Sequence, residues 1–437
     1  MNKSLAVILI GLILFLATSG SAYGEMPSAV KANQVMLKIK LGTPVEYDNV
    51  IIKGNLTSEW LRLPARAIAR LPVEEKMPPS DETTLANNSI VIKNSIIDGR
   101  VDFSNTSFHK QVSFVNTIFL ENVSFISSTF EGDATFANCR FLKIASTTGS
   151  RFNGRANFSQ TYFKWPAFFI DTQFGGITDF SLARFSSVAY LSGSQFNGPV
   201  GFIGTQFYDY AEFFSSQFAA EQFDKETSFK QAQFRGESIF AKAKFNDLVE
   251  FIDCSFLAVT VFRESDFLID ATFRNTSFLG PSDFTASKFQ DSVDFSGSQF
   301  ADDADFCGVI FNGPADFSRS TFFEKINLQD TEFNKNVHFE SCRINTLNLT
   351  RSRYEWLFLH WDSVSHLEKD DEAHKKLISN YERLQWQKDS SDCRSACSIE
   401  TKAEPAKDYS WIMEMLNIHR FTRGFALLPD QGTGKND

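Results

Sequence analysis

The chain has 437 residues with 43 basic and 53 acidic side chains, and its formal net charge is −10 at pH 7. This balance argues against a nucleic-acid-binding protein, which needs a basic surface to neutralise phosphates. Phenylalanine is over-represented, with 48 residues, and 44 of them lie between Phe103 and Phe339.

The N-terminal segment, residues 1–24, has the three parts of a secretory signal peptide. Lys3 supplies the positive start, an apolar run extends from Leu5 to Ala17, and Ala22-Tyr23-Gly24 offers a small-residue cleavage site. The run is short for a membrane span, which needs about 20 residues. We therefore predict a secreted or cell-envelope protein, with an uncleaved segment that anchors the chain in the membrane as the alternative.

Residues 25–56 precede the main repeat, and the pattern from Ser28 to Leu41 fits two structures. A helix would have Ser28 as its N-cap and would stop before Gly42 and Pro44. The alternation of apolar residues from Val35 to Leu41 fits a strand instead. The bracketing cap and stop favour a capping helix, followed by first strands up to residue 56. Residues 57–88 contain four prolines and are predicted to form an excursion loop.

An internal repeat begins at residue 89 and extends to about residue 350. Phenylalanines recur at alternating steps of five and six residues, as from Phe103 to Phe108 and Phe114. A small residue stands two positions before each of them, and this alternation is typical of a short strand with one buried face. A helix does not fit, because the steps leave no stripe of period 3.6.

Strands this short must stack to bury their rings. Two steps would make a two-sided coil with no room for Phe, whereas four steps make a four-sided coil of 22 residues. We therefore predict an all-β fold, a right-handed quadrilateral parallel β-helix of about eleven coils from Phe103 to Ile344, since crossovers between parallel strands are right-handed. In this fold, residues 22 apart stack. The predicted inward ladder is represented by Phe103, Phe114, Phe125, Phe136, Phe284, Phe295, Phe306 and Phe317.

Two irregularities lead to further predictions. The extra residue of the six-residue step coincides with Gly or Asn, as in Asn153-Gly154 and Asn312-Gly313-Pro314, and these types suit corners with positive φ. An extra five-residue unit should shift all later coils by a quarter turn, because the spacing is five, five and six over Phe213, Phe218, Phe223 and Phe229.

The half-unit Ala315-Asp316-Phe317-Ser318-Arg319 and its neighbours resemble the pentapeptide-repeat family, in its Phe-centred eleven-residue variant. The resemblance covers about 240 residues. It implies a right-handed quadrilateral β-helix with the Phe and the small residue pointing inward. It implies no particular activity, because members range from DNA mimics that bind topoisomerases to many proteins of unknown role.

The C-terminal part, residues 351–437, is predicted to be a helical tail. Leu367, Ala373, Leu377, Tyr381 and Leu384 form an apolar stripe within residues 364–390. The segment resembles the tail that follows the repeats in membrane-associated pentapeptide proteins, where a channel-like domain comes next. Here residues 411–428 are too polar to span a membrane, which argues against a channel.

Residues with chemical potential are sparse. Cys139, Cys254 and Cys342 occupy the small inward position, coils apart and beyond disulfide reach, whereas Cys393 and Cys397 form a close pair that could be bridged. His366 and His374 miss the usual spacing of metal ligands. No catalytic, cofactor-binding or metal-binding residue is predicted, and we do not expect an enzyme.

Two sets of outward residues stand out. Aspartates form pairs on opposite faces, Asp283 with Asp305 and Asp294 with Asp316, which we interpret as solvated, with weak calcium binding as the alternative. Exposed aromatic residues mark a candidate binding surface, because flat rings suit contact with glycans or protein partners. Alternatively, these rings cover a corner or pack under the loop of residues 57–88. The set comprises Tyr162, Trp165, Phe168, Tyr190, Tyr208 and Phe214.

We therefore predict an exported, non-enzymatic binding or structural module that binds a protein or glycan at the cell surface. Nucleic acid is not an expected partner, and membrane contact is expected only through an uncleaved signal segment. End-to-end pairing of two copies is left open. The alternatives are a DNA-mimic inhibitor of a nucleic-acid enzyme, if the chain is not exported, and a membrane-associated relative of the channel-linked proteins.

Overall fold

The computed structural model describes residues 26–69, 82–219 and 226–399, except for the side chains of 397–399. The chain winds as a parallel β-solenoid with four strands in each regular turn. We name its sides faces A, B, C and D in chain order. One turn shows the path: it passes through Ile96–Ile97, Val101–Asp102, Thr106–Phe108 and Val112–Val115.

Most strands contain two residues and recur every 22 residues, with one interruption after residue 218. Face A has strands from Ile96–Ile97 to Gln206–Phe207 and from Gln233–Phe234 to Gln299–Phe300. Face B has strands from Val101–Asp102 to Ala211–Glu212 and from Ser238–Ile239 to Ala304–Asp305. Face C has Thr106–Phe108, the strands from Thr129–Phe130 to Gln217–Phe218 and from Lys244–Phe245 to Glu332–Phe333, and Arg353–Tyr354. Face D has Ile90–Lys93, Val112–Val115, the strands from Ala134–Thr135 to Val200–Gly201 and from Thr227–Ser228 to Val337–His338, and Leu357–Phe358.

The remaining strands lie at the two ends of the solenoid. Near the C-terminal end, longer strands continue around the corner between faces A and B: Thr321–Asn327, Arg343–Asn348 and Val364–Leu367. The N-terminal strands are Ser28–Lys31 and Val50–Lys53 on face A, Leu56–Thr57 on face B, Thr84–Ala86 on face C and Val45–Asp48 on face D.

Phenylalanine ladders fill the interior, as predicted. The ring centroids of Phe284 and Phe306 lie 4.8 Å apart, and those of Phe295 and Phe317 lie 5.0 Å apart, so residues separated by 22 stack. Neighbouring ladders meet edge to face, as Phe284 does with Phe295 at 5.5 Å. Offset-stacked and edge-to-face pairs each add about 0.5–1.5 kcal/mol beyond area burial. The first coils follow the same scheme, with Phe103 on Phe125 and Phe114 on Phe136.

The small inward residue that lies two positions before the Phe at the end of a five-residue step also forms a hydrogen bond. The Thr161 hydroxyl donates to the Phe136 carbonyl at 2.7 Å, and the Cys139 thiol donates to the Phe114 carbonyl at 2.8 Å. Both donors are buried, and a buried carbonyl left without a donor would cost free energy. This explains why Ser, Thr and Cys recur there rather than Ala alone.

The corners differ from the prediction. Positive φ occurs at the corners of the five-residue steps, for example at Asn105 and Asn116. The expectation that Gly154 and Gly313 supply positive φ at six-residue corners is wrong. A Cβ on Gly154 would lie 2.7 Å from the Gly132 carbonyl carbon, and one on Gly313 would lie 2.4 Å from the Asp291 carbonyl carbon. Glycine is needed there because the backbones of successive coils approach closely.

The extra five residues produce no quarter turn, and this prediction is wrong as well. Strand Val200–Gly201 pairs with Thr227–Ser228, and Phe207 stacks on Phe234 at 4.8 Å, so every face continues after a step of 27 residues. The added residues fall between Gln217–Phe218 on face C and Thr227–Ser228 on face D. The ladders and corners therefore stay in register, whereas a quarter-turn shift would mismatch both. Phe223 lies outside the described residues.

The N-terminal end begins with strand Ser28–Lys31, which pairs with Val50–Lys53. Helix α1 (Ala32–Leu41) follows, with Gly42 at its C-cap at φ 69°, so the helix is confirmed but begins after Ser28. It buries Val35, Met36 and Ile39. The excursion leaves between faces B and C, and its described part contains a 3₁₀ turn and a short helix α2, Ser58–Arg62 and Ala65–Ile68.

The C-terminal end differs from the sequence prediction. The solenoid continues past residue 350 to Leu367, and residues 364–367 form a strand where a helix was predicted. After the 3₁₀ turn Trp361–Ser363 and this strand come helices α3 (Asp371–Arg383) and α4 (Gln387–Ile399). Helix α3 closes the end of the solenoid, and its Asn380 side chain bonds both backbone groups of Leu357. Within the described ranges, no helix is long and apolar enough to cross a membrane.

Candidate binding surface

The structure places four of the six candidate residues along face B and the corner that precedes it, whereas Tyr162 lies on face A. Phe168 and Tyr190 are in-register neighbours on face B, and their rings stack at 5.2 Å with planes 12° apart. Trp165 and Tyr208 lie on the A–B corner and are 48% and 37% exposed. Phe214 lies on the other edge of face B, at the corner leading to face C. The predicted cluster therefore forms a strip along one side of the solenoid.

A cationic side chain lies over each of the most exposed rings. Lys143 Nζ lies 5.5 Å from the Trp165 ring centroid, the Arg235 guanidinium 4.4 Å from that of Tyr208, and Lys242 Nζ 6.0 Å from that of Phe214. Such contacts contribute about 0.5–1 kcal/mol at exposed sites. The rings thus have cations beside them instead of an apolar covering.

Sequence reasoning missed Tyr210 and an aliphatic continuation of the strip. The Tyr210 and Tyr190 rings meet edge to face at 6.0 Å. Burial and the neighbouring Glu212 raise the pKa of Tyr210 to about 12. Ile239 and Val261 are the next outward residues of face B beyond Glu212. The 22-residue register could have shown that Ile239 and Val261 continue the strip on face B. Tyr210 belongs to a corner, and the repeat does not specify the directions of corner side chains. We call Trp165, Phe168, Tyr190, Tyr208 and Tyr210 the aromatic strip.

Charge is segregated along the solenoid. The three turns of residues 140–205, the basic turns, have six basic and two acidic side chains. The three turns of residues 255–320, the acidic turns, have four basic and ten acidic ones. On face A and the A–B corner, the basic turns have cations and no carboxylate: Arg140, Lys143, Lys164 and Arg184. Most of the aromatic strip therefore lies in a locally positive part of a negative chain.

The predicted aspartate pairs are confirmed on opposite faces. Asp283 pairs with Asp305 on face B, and Asp294 pairs with Asp316 on face D. Asp283 also forms an ion pair of 2.6 Å with Arg263, whereas Asp294 and Asp316 each accept a backbone N–H two residues later in the chain. In the described ranges no group of three His, Cys, Asp or Glu side chains could hold a metal ion.

The other residues with chemical potential have structural surroundings. Cys139, Cys254 and Cys342 are buried, and each thiol donates to a backbone carbonyl of the neighbouring coil. Burial raises the pKa of the Cys139 and Cys342 thiols to about 12, so few thiolates form at neutral pH. His374 is buried at the start of helix α3, with its ring Nδ1 2.9 Å from the Asp370 carbonyl oxygen. The Cys397 side chain lies outside the described residues.

A family profile described as pentapeptide repeats, with nine copies, matches residues 92–140, 114–161, 158–206 and 273–321. No curated protein and no solved structure matches the chain significantly. The profile, the 22-residue turn and the inward Phe ladders agree with one another, and the chain belongs to the pentapeptide-repeat family.

Proposed function

We propose that this chain is an exported, non-enzymatic binding or structural module of the cell envelope, and that the aromatic strip is its working surface. The observation that carries the proposal is the stacked, half-buried pair of Phe168 and Tyr190, flanked by exposed Trp165 and Tyr208 and their cations. Clustered exposed rings mark interaction sites more often than isolated ones do. Export is supported by the signal-like pattern of residues 1–24.

A second candidate, a nucleic-acid-mimicking inhibitor, is favoured by the acidic turns, whose aspartates repeat from rung to rung on faces B and D. Such an inhibitor must meet its target inside the cell. The two candidates therefore differ in where the chain is found. Fractionation and N-terminal sequencing of the native protein distinguish them: a mature chain that starts at Glu25 in the envelope fraction supports the first candidate and eliminates the mimic.

The binding surface is tested by the double substitution Phe168→Ser with Tyr190→Ser. The matched control is Gln173→Ser with Gln195→Ser, an outward pair in the same turns on face C. Both variants and the unaltered chain are assayed for binding to envelope material and for thermal stability. We expect the aromatic variant alone to lose binding. If it binds normally but melts at lower temperature, the rings serve packing only and the proposed surface is wrong.

A further inference from the structure

We infer that the aromatic strip takes a second copy of this chain, bound antiparallel along the A–B corner. The inference deepens the proposed function, because it rests on the same surface and names its partner. The argument comes from the order of side chains along that corner, from the complementary charge of the basic and acidic turns, and from the covering of both solenoid ends.

The A–B corner carries a graded series of side chains over eight successive levels. It begins at a level with Lys143 between Leu142 and Ile144, continues through Lys164 with Trp165 and then Ser186, Ser187 and Val188, and reaches Tyr208, Asp209 and Tyr210. The next four levels present Arg235 with Glu237, then Leu257 with Val259, then Leu279 to Pro281, and finally Asp302 with Asp303. At about 4.8 Å per rung, the series spans roughly 34 Å.

This series is complementary to its own reverse. A two-fold axis perpendicular to the solenoid, passing between the levels of Tyr210 and Arg235, brings the A–B corners of two copies together in opposite directions. Lys143 then faces Asp302 and Asp303, Trp165 faces the level of Leu279 to Pro281, and Val188 faces Leu257 and Val259. On face B the same axis sets Tyr190 against Val261, but it sets Phe168 against Asp283 and Glu212 against Ile239, so the complementarity belongs to the corner. Each contact occurs twice, as in any isologous dimer.

The charged groups at the ends of the series have uncharged contacts within the chain: Lys143 lies over the Trp165 ring, and Asp302 and Asp303 each accept a backbone N–H. In the described part of the chain, Lys143, Lys164, Asp302 and Asp303 form no ion pair. Lys143 and Asp303 are exposed, and Leu257 and Val259 are exposed apolar residues at the same corner. An antiparallel copy would cover these apolar side chains and pair these charges.

Other arrangements of two copies fit less well. A parallel copy would set acidic turns against acidic turns, and like charges at an interface oppose association. End-to-end pairing would need an open end. The described residues instead show α1 packed over the first turn, with Val35 and Met36 buried, and α3 bonded through Asn380 to Leu357 of the last turn, with Leu377 and Tyr381 buried. The long side of the solenoid is therefore the self-complementary surface.

The inference is tested with the purified full-length chain by sedimentation velocity over a range of concentrations and salt. We expect a dimer that weakens as salt rises, because the end charges are partly exposed. Lys143→Glu should weaken association at least about tenfold, and so should Asp302→Lys with Asp303→Lys. The chain that carries all three changes should recover association, since every exchanged pair is again complementary.

The matched control is Arg155→Glu, which makes the same charge change at the diagonally opposite C–D corner of the basic turns. It should leave association unchanged, and Phe168→Ser with Tyr190→Ser should weaken it. A chain that stays monomeric at about 100 μM, which is about 100-fold above a micromolar dissociation constant, overturns the inference. So does a triple variant that fails to recover, or a control that dissociates equally.

The outcomes separate this inference from the proposed function. A monomer whose binding to envelope material depends on Phe168 and Tyr190 overturns self-association and keeps the proposed surface, with an anionic glycan as the partner favoured by the local cations. A dimer with the expected charge-swap recovery supports the inference even if the chain ignores envelope material.

Discussion

The basic turns and the acidic turns share one interior and differ in their outward side chains. Phe180 in the basic turns stacks between Phe158 and Phe202 at 5.0 Å on both sides. Phe284 in the acidic turns stacks between Phe262 and Phe306 at 4.9 and 4.8 Å. On face B, the same register holds Phe168 with Tyr190 in one region and Asp283 with Asp305 in the other. In this fold, the inward positions carry the architecture, and the outward positions are free to carry charge and contacts.

The largest effects should be equal in the two regions, because they concern the shared interior. We expect Phe180→Ala and Phe284→Ala each to destabilise the chain by about 3–5 kcal/mol, since each removes a fully buried ring held between two others. Urea unfolding followed by circular dichroism measures the loss. The outward substitution Gln173→Ala serves as control and should change little. A large difference between the two Phe variants would show that the interiors are not equivalent.

Close backbone approach at the corners should also matter in both regions, to a smaller extent. A Cβ on Gly176 would lie 2.5 Å from the Gly154 carbonyl oxygen, and one on Gly280 would lie 2.7 Å from the Ala258 carbonyl carbon. Because backbone atoms must move, we expect Gly176→Ala and Gly280→Ala each to cost about 1–3 kcal/mol.

The matched control for the corners is Gly201→Ala on a strand of face D, where the nearest atom to the new Cβ is the Ser181 hydroxyl oxygen at 3.3 Å. That side chain can turn away, so the control should lose less stability in thermal melts. Equal losses at Gly176 and Gly201 would mean that backbone contact is not what requires glycine at the corner.

The shared interior could be predicted from sequence, because a strict step of five and six residues admits one stacking solution. The stacked pair of Phe168 and Tyr190 followed from the same register. The corners could not be predicted as well, since Gly suits both positive φ and close approach, and the sequence alone does not say which of the two a corner requires. The five added residues were misinterpreted because Phe223 has the spacing of another strand. Tyr210 was missed for the same reason as the corners: its direction depends on backbone geometry that the repeat leaves open.

The reactivity of the cysteine thiols should differ between the two regions, because the acidic turns place carboxylates beside a thiol. Cys307, in the acidic turns, is half-buried, and burial with Asp305 and Asp330 raises the pKa of its thiol. Among the four solenoid cysteines of the native chain, we expect Cys307 to be alkylated first, at a rate that climbs as pH rises beyond the ordinary thiol pKa, because the thiolate is the reactive form. Mass spectrometry after timed labelling identifies the site.

Because Cys307 lies beside carboxylates, its labelling rate should depend on the charge of the reagent. A neutral maleimide should react faster than an anionic disulfide reagent of similar size, and added salt should reduce the difference between the two rates. Asp305→Asn should raise the rate with the anionic reagent. Cys139, buried at the border of the basic turns, should react only after unfolding. Faster labelling of Cys139 than of Cys307 in the native chain would contradict this account of the two sites.

The smallest effect concerns like charges on adjacent rungs. Asp294 lies beside Asp316 on face D, and Asp294→Asn removes one charge while keeping an oxygen that can accept the Ser296 N–H. We expect stabilisation of a few tenths of a kcal/mol, up to about 1 kcal/mol, which grows at low salt. Thermal melting at two salt concentrations measures it.

The basic turns supply the matched control for this charge effect, and calcium supplies the sharper test. Asp179 has the same position on face D, but its rung neighbours, Asn157 and Gly201, are uncharged, so Asp179→Asn should not stabilise the chain.

If the aspartate pair instead held calcium weakly, millimolar calcium would raise the melting temperature of the unaltered chain and not that of the Asp294→Asn variant. We expect no such rise, because a calcium site needs six to eight oxygen ligands, and a rung pair on a flat face brings only two carboxylates together.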